Sequence, residues 1–248
     1  MIVRIDKYKK MKNGMYRVYL NDGMILDLYE EVILKHELLL CKKVDREELN
    51  VIESSNKFYD CYYSALKYIK SSLKTRKEVF DKLKFLEYQQ DDINKALDKL
   101  EEQGYINDYN YASSYLNLKL ITTNYGPSRI AGELEKKGVA SSIISEVLLK
   151  YDDDIQREKI KKTIDKQIKA NHSKGSLYLK RKIKLDLRNQ GFNNFVIDEL
   201  LSSTIFEDDS FIRDREYQKL YGKLSKKYSG KELEYKIREK MMQKGFRY

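Results

Sequence analysis

Residues Asn124 to Val139 read NYGPSRIAGELEKKGV and hold the only proline in the 248-residue chain. Proline has no N–H and a fixed φ. Both suit the first turn of a helix, where that N–H would have no acceptor within the helix. Gly126 can supply the turn before it, and Gly138 a left-handed stop after it. Between them Ile130, Ala131 and Leu134 step at helical spacing. The stretch predicts one short helix with both of its ends written into the sequence.

A related phrase returns twice without the proline, as LYLKRKIKLDLRNQGF (177–192) and LEYKIREKMMQKGF (233–246). Leu134, Leu187 and Met241 each stand four residues before a glycine, and Val139, Phe192 and Phe246 each follow it. Leu83 starts the series, although Glu87 and Tyr88 replace the glycine step there; the anchors 83, 134, 187 and 241 are 51, 53 and 54 residues apart. Asp108, Asp152 and Asp208 each precede an apolar residue by three positions, so each is expected to cap a helix N-terminus. Around these marks the spacing predicts three helices per unit. Phe58, Tyr62 and Leu66 open the first unit, Val79 and Leu83 its second helix, and Ile93, Leu97 and Leu100 a third that stops at Gly104. The next unit runs through Tyr111–Leu118, Pro127–Leu134 and Ile143–Leu148. Helices this short cannot bury a core alone, so neighbouring units must share one.

The N-terminal region reads differently. MYRVYL is β-prone, NDG is a turn signal and MILDLY alternates after it, which predicts a small hairpin or sheet. EEVILKHELLL reads as a helix, and DREELNVIESSN as another that ends in a polar break near Ser54 to Asn56. The expected organisation is therefore an N-terminal β-hairpin with helices over 1–56, three-helix repeats over 57–108, 109–151 and 152–208, and an incomplete fourth over 209–248, either truncated or a cap. The fold class is mainly α, with tandem three-helix repeats in an elongated, curved array behind a small β region.

Composition excludes several classes. No apolar run reaches the ~18–20 residues of a membrane span, and the N-terminus lacks the apolar stretch of a signal peptide, so a cytoplasmic protein without a membrane partner is expected. Two cysteines, Cys41 and Cys61, without CxxC spacing, predict buried free thiols rather than a disulfide or zinc framework. There is no phosphate-binding glycine loop. His36 and His172 lack the companions of a metal or triad site, and the acidic run Asp152–Asp154 lacks calcium-loop spacing. Neither an enzyme nor a cofactor is expected.

Charge is informative. The chain carries a formal net charge of +10; residues 171–248 hold 18 basic and 11 acidic side chains, whereas residues 1–56 hold ten of each. Lys180, Lys184 and Arg188 recur every four residues beside the apolar stripe Leu179, Ile183 and Leu187. Lys236, Lys240 and Lys244 repeat that spacing, and Arg213 and Arg215 lie between the rows. Such rows can bind phosphates or an acidic protein groove.

The pattern LKTRKEVFDKL, INKALDKLEEQGYINDYNYA and YGPSRIAGELEKKGV resembles the RecX family of bacterial recombination regulators, and the later phrases resemble its longer, low-GC Gram-positive branch. The resemblance covers about residues 60–248. It implies a non-enzymatic monomer that binds the RecA recombinase filament in its groove and suppresses ATP hydrolysis, strand exchange and coprotease activity, with single- or double-stranded DNA as a further partner. Arg76 and Arg129, inside the matching phrases, join the basic rows as expected partner-binding residues. A helical module that binds DNA directly and acts without RecA is the alternative, because three-helix units also resemble helix-turn-helix domains.

Overall fold

The computed structural model describes residues 2–12, 14–171, 173–206 and 208–246; His172 lies outside them. Among the described residues there are four strands and twelve helices. The chain divides into two compact units. One takes the chain up to Tyr111 together with Lys137–Ala140, and the other takes Ala112–Lys136 and the chain from Ser141 onward.

The first unit opens with an antiparallel sheet of order β3-β2-β1-β4, formed by β1 (Ile2–Lys10), β2 (Tyr16–Leu20), β3 (Ile25–Leu28) and β4 (Lys43–Asp45). The NDG turn joins β2 to β3, with Gly23 at φ 89°. A register shift between Ile5 and Lys7 re-aims β1. Val3, Ile5, Val18 and Leu20 point to one face, where α1 (Glu30–Lys35) adds Val32 and Ile33. The helix expected through residue 40 stops at Lys35. Glu37 turns to φ 49°, Leu38 drops into the core, and the Leu38 carbonyl accepts the Tyr8 hydroxyl.

The polar break expected at Ser54–Asn56 does not exist. Helix α2 runs unbroken from Arg46 to Ile69, across residues 56 and 57. Its polar residues face the sheet layer instead. Asn56 accepts the Tyr29 N–H at 3.0 Å and donates to the Asp27 carbonyl at 3.0 Å, and Ser55 bonds the His36 ring at 3.0 Å. The far half of α2 packs with α3 (Arg76–Phe85) and α4 (Gln90–Glu102) around Cys61, Ala65, Val79, Leu83, Leu97 and Leu100. Cys61 is buried as expected and its thiol is pushed up to about 12 by burial, whereas Cys41 is exposed, contrary to expectation.

Further three-helix sets follow in α5 (Asp108–Thr122), α6 (Pro127–Lys136) and α7 (Ser141–Leu148), then in α8 (Asp153–Ala170), α9 (Ser176–Asn189) and α10 (Asn194–Ser203), with α11 (Asp209–Leu224) and α12 (Gly230–Gln243) last. In every second helix the buried residues fall four and eight positions after the residue that precedes it: Val79 and Leu83, Ile130 and Leu134, Leu179 and Ile183, Leu233 and Ile237. α9 and α12 are one turn longer and add Leu187 and Met241.

The glycine stops are also docking points. Gly191, at φ 87°, lies so close to α6 that a Cβ would overlap the Arg129 backbone. The Gly126 N–H bonds the Gln190 carbonyl at 2.7 Å and the Ser128 N–H bonds that of Gly191 at 3.1 Å. Gly126 is a glycine because its own Cβ would strike the Gly191 backbone, not because its φ is positive. The same joint recurs where Gly245 meets Tyr178 on α9 and the Gly175 N–H bonds the Lys244 carbonyl at 3.0 Å. It recurs again where Gly138 meets Lys77 on α3, with the Thr75 hydroxyl donating to the Lys137 carbonyl at 2.7 Å. Each joint sets carbonyls from a helix end against the N-terminal turn of another helix, satisfying orphan groups of both.

Candidate functional site

The basic rows lie on α9 and α12, and the neighbouring helices decide which cations are committed. On α9 the stripe Leu179, Ile183 and Leu187 is buried, so Lys180, Lys184 and Arg188, one position on, sit at its border. Lys180 Nζ lies 4.8 Å from the centre of the Phe206 ring. Lys184 pairs with Asp198 of α10 at 2.6 Å. Arg188 is exposed and has no carboxylate partner among the described residues.

The row on α12 splits in the same way. Lys236 reaches Glu239 at 3.3 Å, and Lys240 is exposed. Lys244 turns inward to Glu216 of α11 at 2.5 Å. Glu216 is only 3 % exposed, with Lys219 at 3.1 Å and Arg215 at 3.8 Å as further cations. Burial raises the Glu216 pKa, but the hydrogen bonds from Lys244 and Lys219 outweigh it and hold the carboxyl below its ordinary value. A buried carboxylate needs such partners, so Lys244 serves the core of α11 and α12.

The other expected residues are also engaged. Arg213 pairs with Asp214 at 3.2 Å. Arg76 forks between Asp98 at 2.7 Å and Glu101 at 2.6 Å on α4. The Arg129 guanidinium lies 3.8 Å from the centre of the Tyr125 ring and donates to the Asn189 carbonyl at 3.4 Å, inside a glycine joint.

What the arrangement leaves exposed is an open cleft of about 440 Å³ between α11 and α12. Lys223, Lys227 and Tyr228 come from the end of α11 and the turn after it; Lys236, Glu239, Lys240 and Gln243 come from α12. Sequence reading missed Lys223 and Lys227, although Lys219, Lys223 and Lys227 repeat the same four-residue step; their meeting with Lys236 and Lys240 comes only through helix packing. Among the described residues no helix is long and apolar enough to cross a membrane.

Two family models match this chain: RecX, first three-helix domain, over residues 61–100, and RecX, second three-helix domain, over residues 107–148. A crystal structure of RecX from Lactobacillus salivarius is 34% identical, with 96% of that chain and 60% of this one covered, at a TM-score of 0.57. The chain belongs to the RecX family. A crystal structure titled regulatory protein RecX is 25% identical and aligns over 82% of this chain and 100% of that one, at a TM-score of 0.75. Proteins named Regulatory protein RecX from Listeria monocytogenes and Enterococcus faecalis are 28% and 27% identical, over 100% and 98% of this chain and 93% of theirs. The RecX kinship thus spans the sheet and all the repeats, and supports a regulatory role.

Proposed function

We propose that the chain is a negative regulator of homologous recombination that binds the groove of the RecA filament and inhibits its ATPase, strand exchange and coprotease activities. The observation that carries this reading is kinship along the whole chain with proteins named Regulatory protein RecX. The repeated units suit such a target. A filament presents one surface many times, and several modest contacts on one chain multiply through effective concentration by ~100-fold or more. Exposed cations such as Arg188 and Lys240 are the candidate contacts.

Co-sedimentation tests the reading. RecA filaments assembled on single-stranded DNA with a slowly hydrolysed ATP analogue should carry the protein into the pellet at sub-stoichiometric amounts. Recovery with bare DNA but no added recovery with filaments would favour the direct DNA-binding module instead.

A further inference from the structure

We propose that the cleft between α1 and α2 receives an arginine side chain from a basic segment of a partner protein, with the guanidinium laid on the Tyr29 and Tyr63 rings and paired with Glu31. The cleft is open, holds about 720 Å³ and lies wholly within the first compact unit. Tyr29 and Tyr63 line it as a stacked pair, with ring centres 4.9 Å apart. Each hydroxyl holds a carboxylate. Tyr63 donates to Glu31, and Tyr29 donates to Asp60 at 2.9 Å, where Tyr88 also donates at 2.7 Å. Among the described residues no cation pairs with Glu31 or Asp60, although the chain carries 49 basic side chains against 39 acidic ones. Their neighbours are neutralised: Asp27 by Arg17 at 2.7 Å, and Glu30 by Lys10 at 3.7 Å. Lys67, the one cation of the lining, is exposed and pairs with neither carboxylate. The bond from Tyr63 ends on Glu31 Oε1 and leaves Oε2 open among the described residues. The rings and the carboxylate are thus positioned by each other before any partner arrives, which lowers the ordering cost of binding.

The geometry selects the kind of occupant. Two glutamates in the lining repel phosphates, so a nucleic acid does not fit. Among the described residues no group of three or more metal-binding side chains is placed to hold a metal ion. A cleft of about 720 Å³ is far larger than a lone ammonium needs, and part of its wall is apolar: Leu34, 61% exposed, and Met15 from the turn between β1 and β2. An aromatic face, an open carboxylate oxygen and an apolar wall match the three parts of one arginine side chain. The planar guanidinium stacks on a ring, its N–H fork meets a carboxylate, and its aliphatic stem lies on apolar surface. The remaining volume admits an apolar residue beside the arginine. The binding needs neither recombinase nor DNA, so it stands or falls separately from the filament reading.

Nuclear magnetic resonance titration of the full chain tests this, with a capped leucine–arginine–leucine tripeptide as the probe and the same peptide carrying citrulline, the uncharged isostere, as its control. The arginine peptide should move the amide signals of Glu31, Leu34, Tyr63 and Ser64 and saturate. The citrulline peptide should bind at least ~10-fold more weakly, as the loss of a charge-assisted hydrogen bond predicts. Glu31→Gln, which keeps an acceptor for Tyr63, should weaken the arginine peptide as much, whereas Glu53→Gln, on α2 but outside the lining, should leave it unchanged. The citrulline comparison on the wild-type chain decides the matter even if Glu31→Gln fails to fold. Four outcomes overturn the proposal. Signals of the cleft stay still, or citrulline binds as well as arginine, which would leave a merely apolar groove. Glu31→Gln binds like the wild type while folded by circular dichroism. Or the same signals move with protein concentration alone, which would seat a second copy of the chain there.

Discussion

At the residue scale, the left-handed positions separate conformational need from close packing. Gly104 sits at φ 73° with open space where a Cβ would go, whereas Gly191 at φ 87° has the Arg129 backbone there. Gly104→Ala should cost about 1 kcal/mol, the ordinary penalty of a left-handed alanine. Gly191→Ala should cost a further ~1–3 kcal/mol, because backbone cannot step aside. Urea unfolding of the two variants measures the difference, and equal costs would remove the docking role. Glu87 makes the complementary case. It takes φ 63° where the other units have glycine, and the Tyr88 N–H still closes back onto the Leu83 carbonyl at 3.3 Å. Glu87→Gly should raise stability by roughly 0.5–1 kcal/mol, the relief of strain less the glycine's entropy. Glu216 supplies a pH dependence. Its folded pKa lies below its unfolded value, so its stabilising contribution is present above the unfolded pKa near 4.5 and is lost as pH falls through the folded one. Lys244→Met should cost about 3 kcal/mol by stranding the buried carboxylate, with much of the loss recovered by adding Glu216→Gln. A Lys244 variant that melts like the wild type would return that lysine to the binding surface.

At the scale of elements, the lone proline has a partner explanation that sequence did not show. Asp108 does not cap its own helix. Its carboxylate accepts the N–H of Arg76, the first residue of α3, at 2.9 Å. Asp209 does the same for Ser176, the first residue of α9, at 2.7 Å. At the matching place in α6 stands Pro127, which has no N–H to satisfy. Asp209→Ala should therefore cost about 1 kcal/mol, as the loss of a capping carboxylate does, and thermal melts should show it. Asp152 and Asp208 cap their own helices as expected, accepting from the N–H groups of Ile155 and Ser210. What could be read from sequence was local: the alternating strands, the four-residue apolar step, the glycine stops. What could not be read depended on residues distant in the chain. Ser55 and Asn56 look like a helix break until His36 after α1 and Asp27 of β3 are in place to bond them, and Lys184 and Lys244 look free until Asp198 and Glu216 arrive from other helices. The cleft between α11 and α12 was half legible: Lys219, Lys223 and Lys227 recur every four residues, but their meeting with Lys236 and Lys240 depends on α12 packing beside α11.

For the whole molecule, sheet and helical repeats provide a scaffold on which several of the cations expected to meet a partner, Arg76, Lys184 and Lys244 among them, are tied to carboxylates instead. The RecX kinship supports the function proposed above, that of a body that acts by binding to the filament. The most direct measurement is RecA ATP hydrolysis on single-stranded DNA, followed while the protein is added well below one molecule per RecA protomer. The account predicts a progressive fall in the rate that begins at those sub-stoichiometric amounts. A rate unchanged even at one molecule per protomer, with a chain folded by circular dichroism, would contradict it.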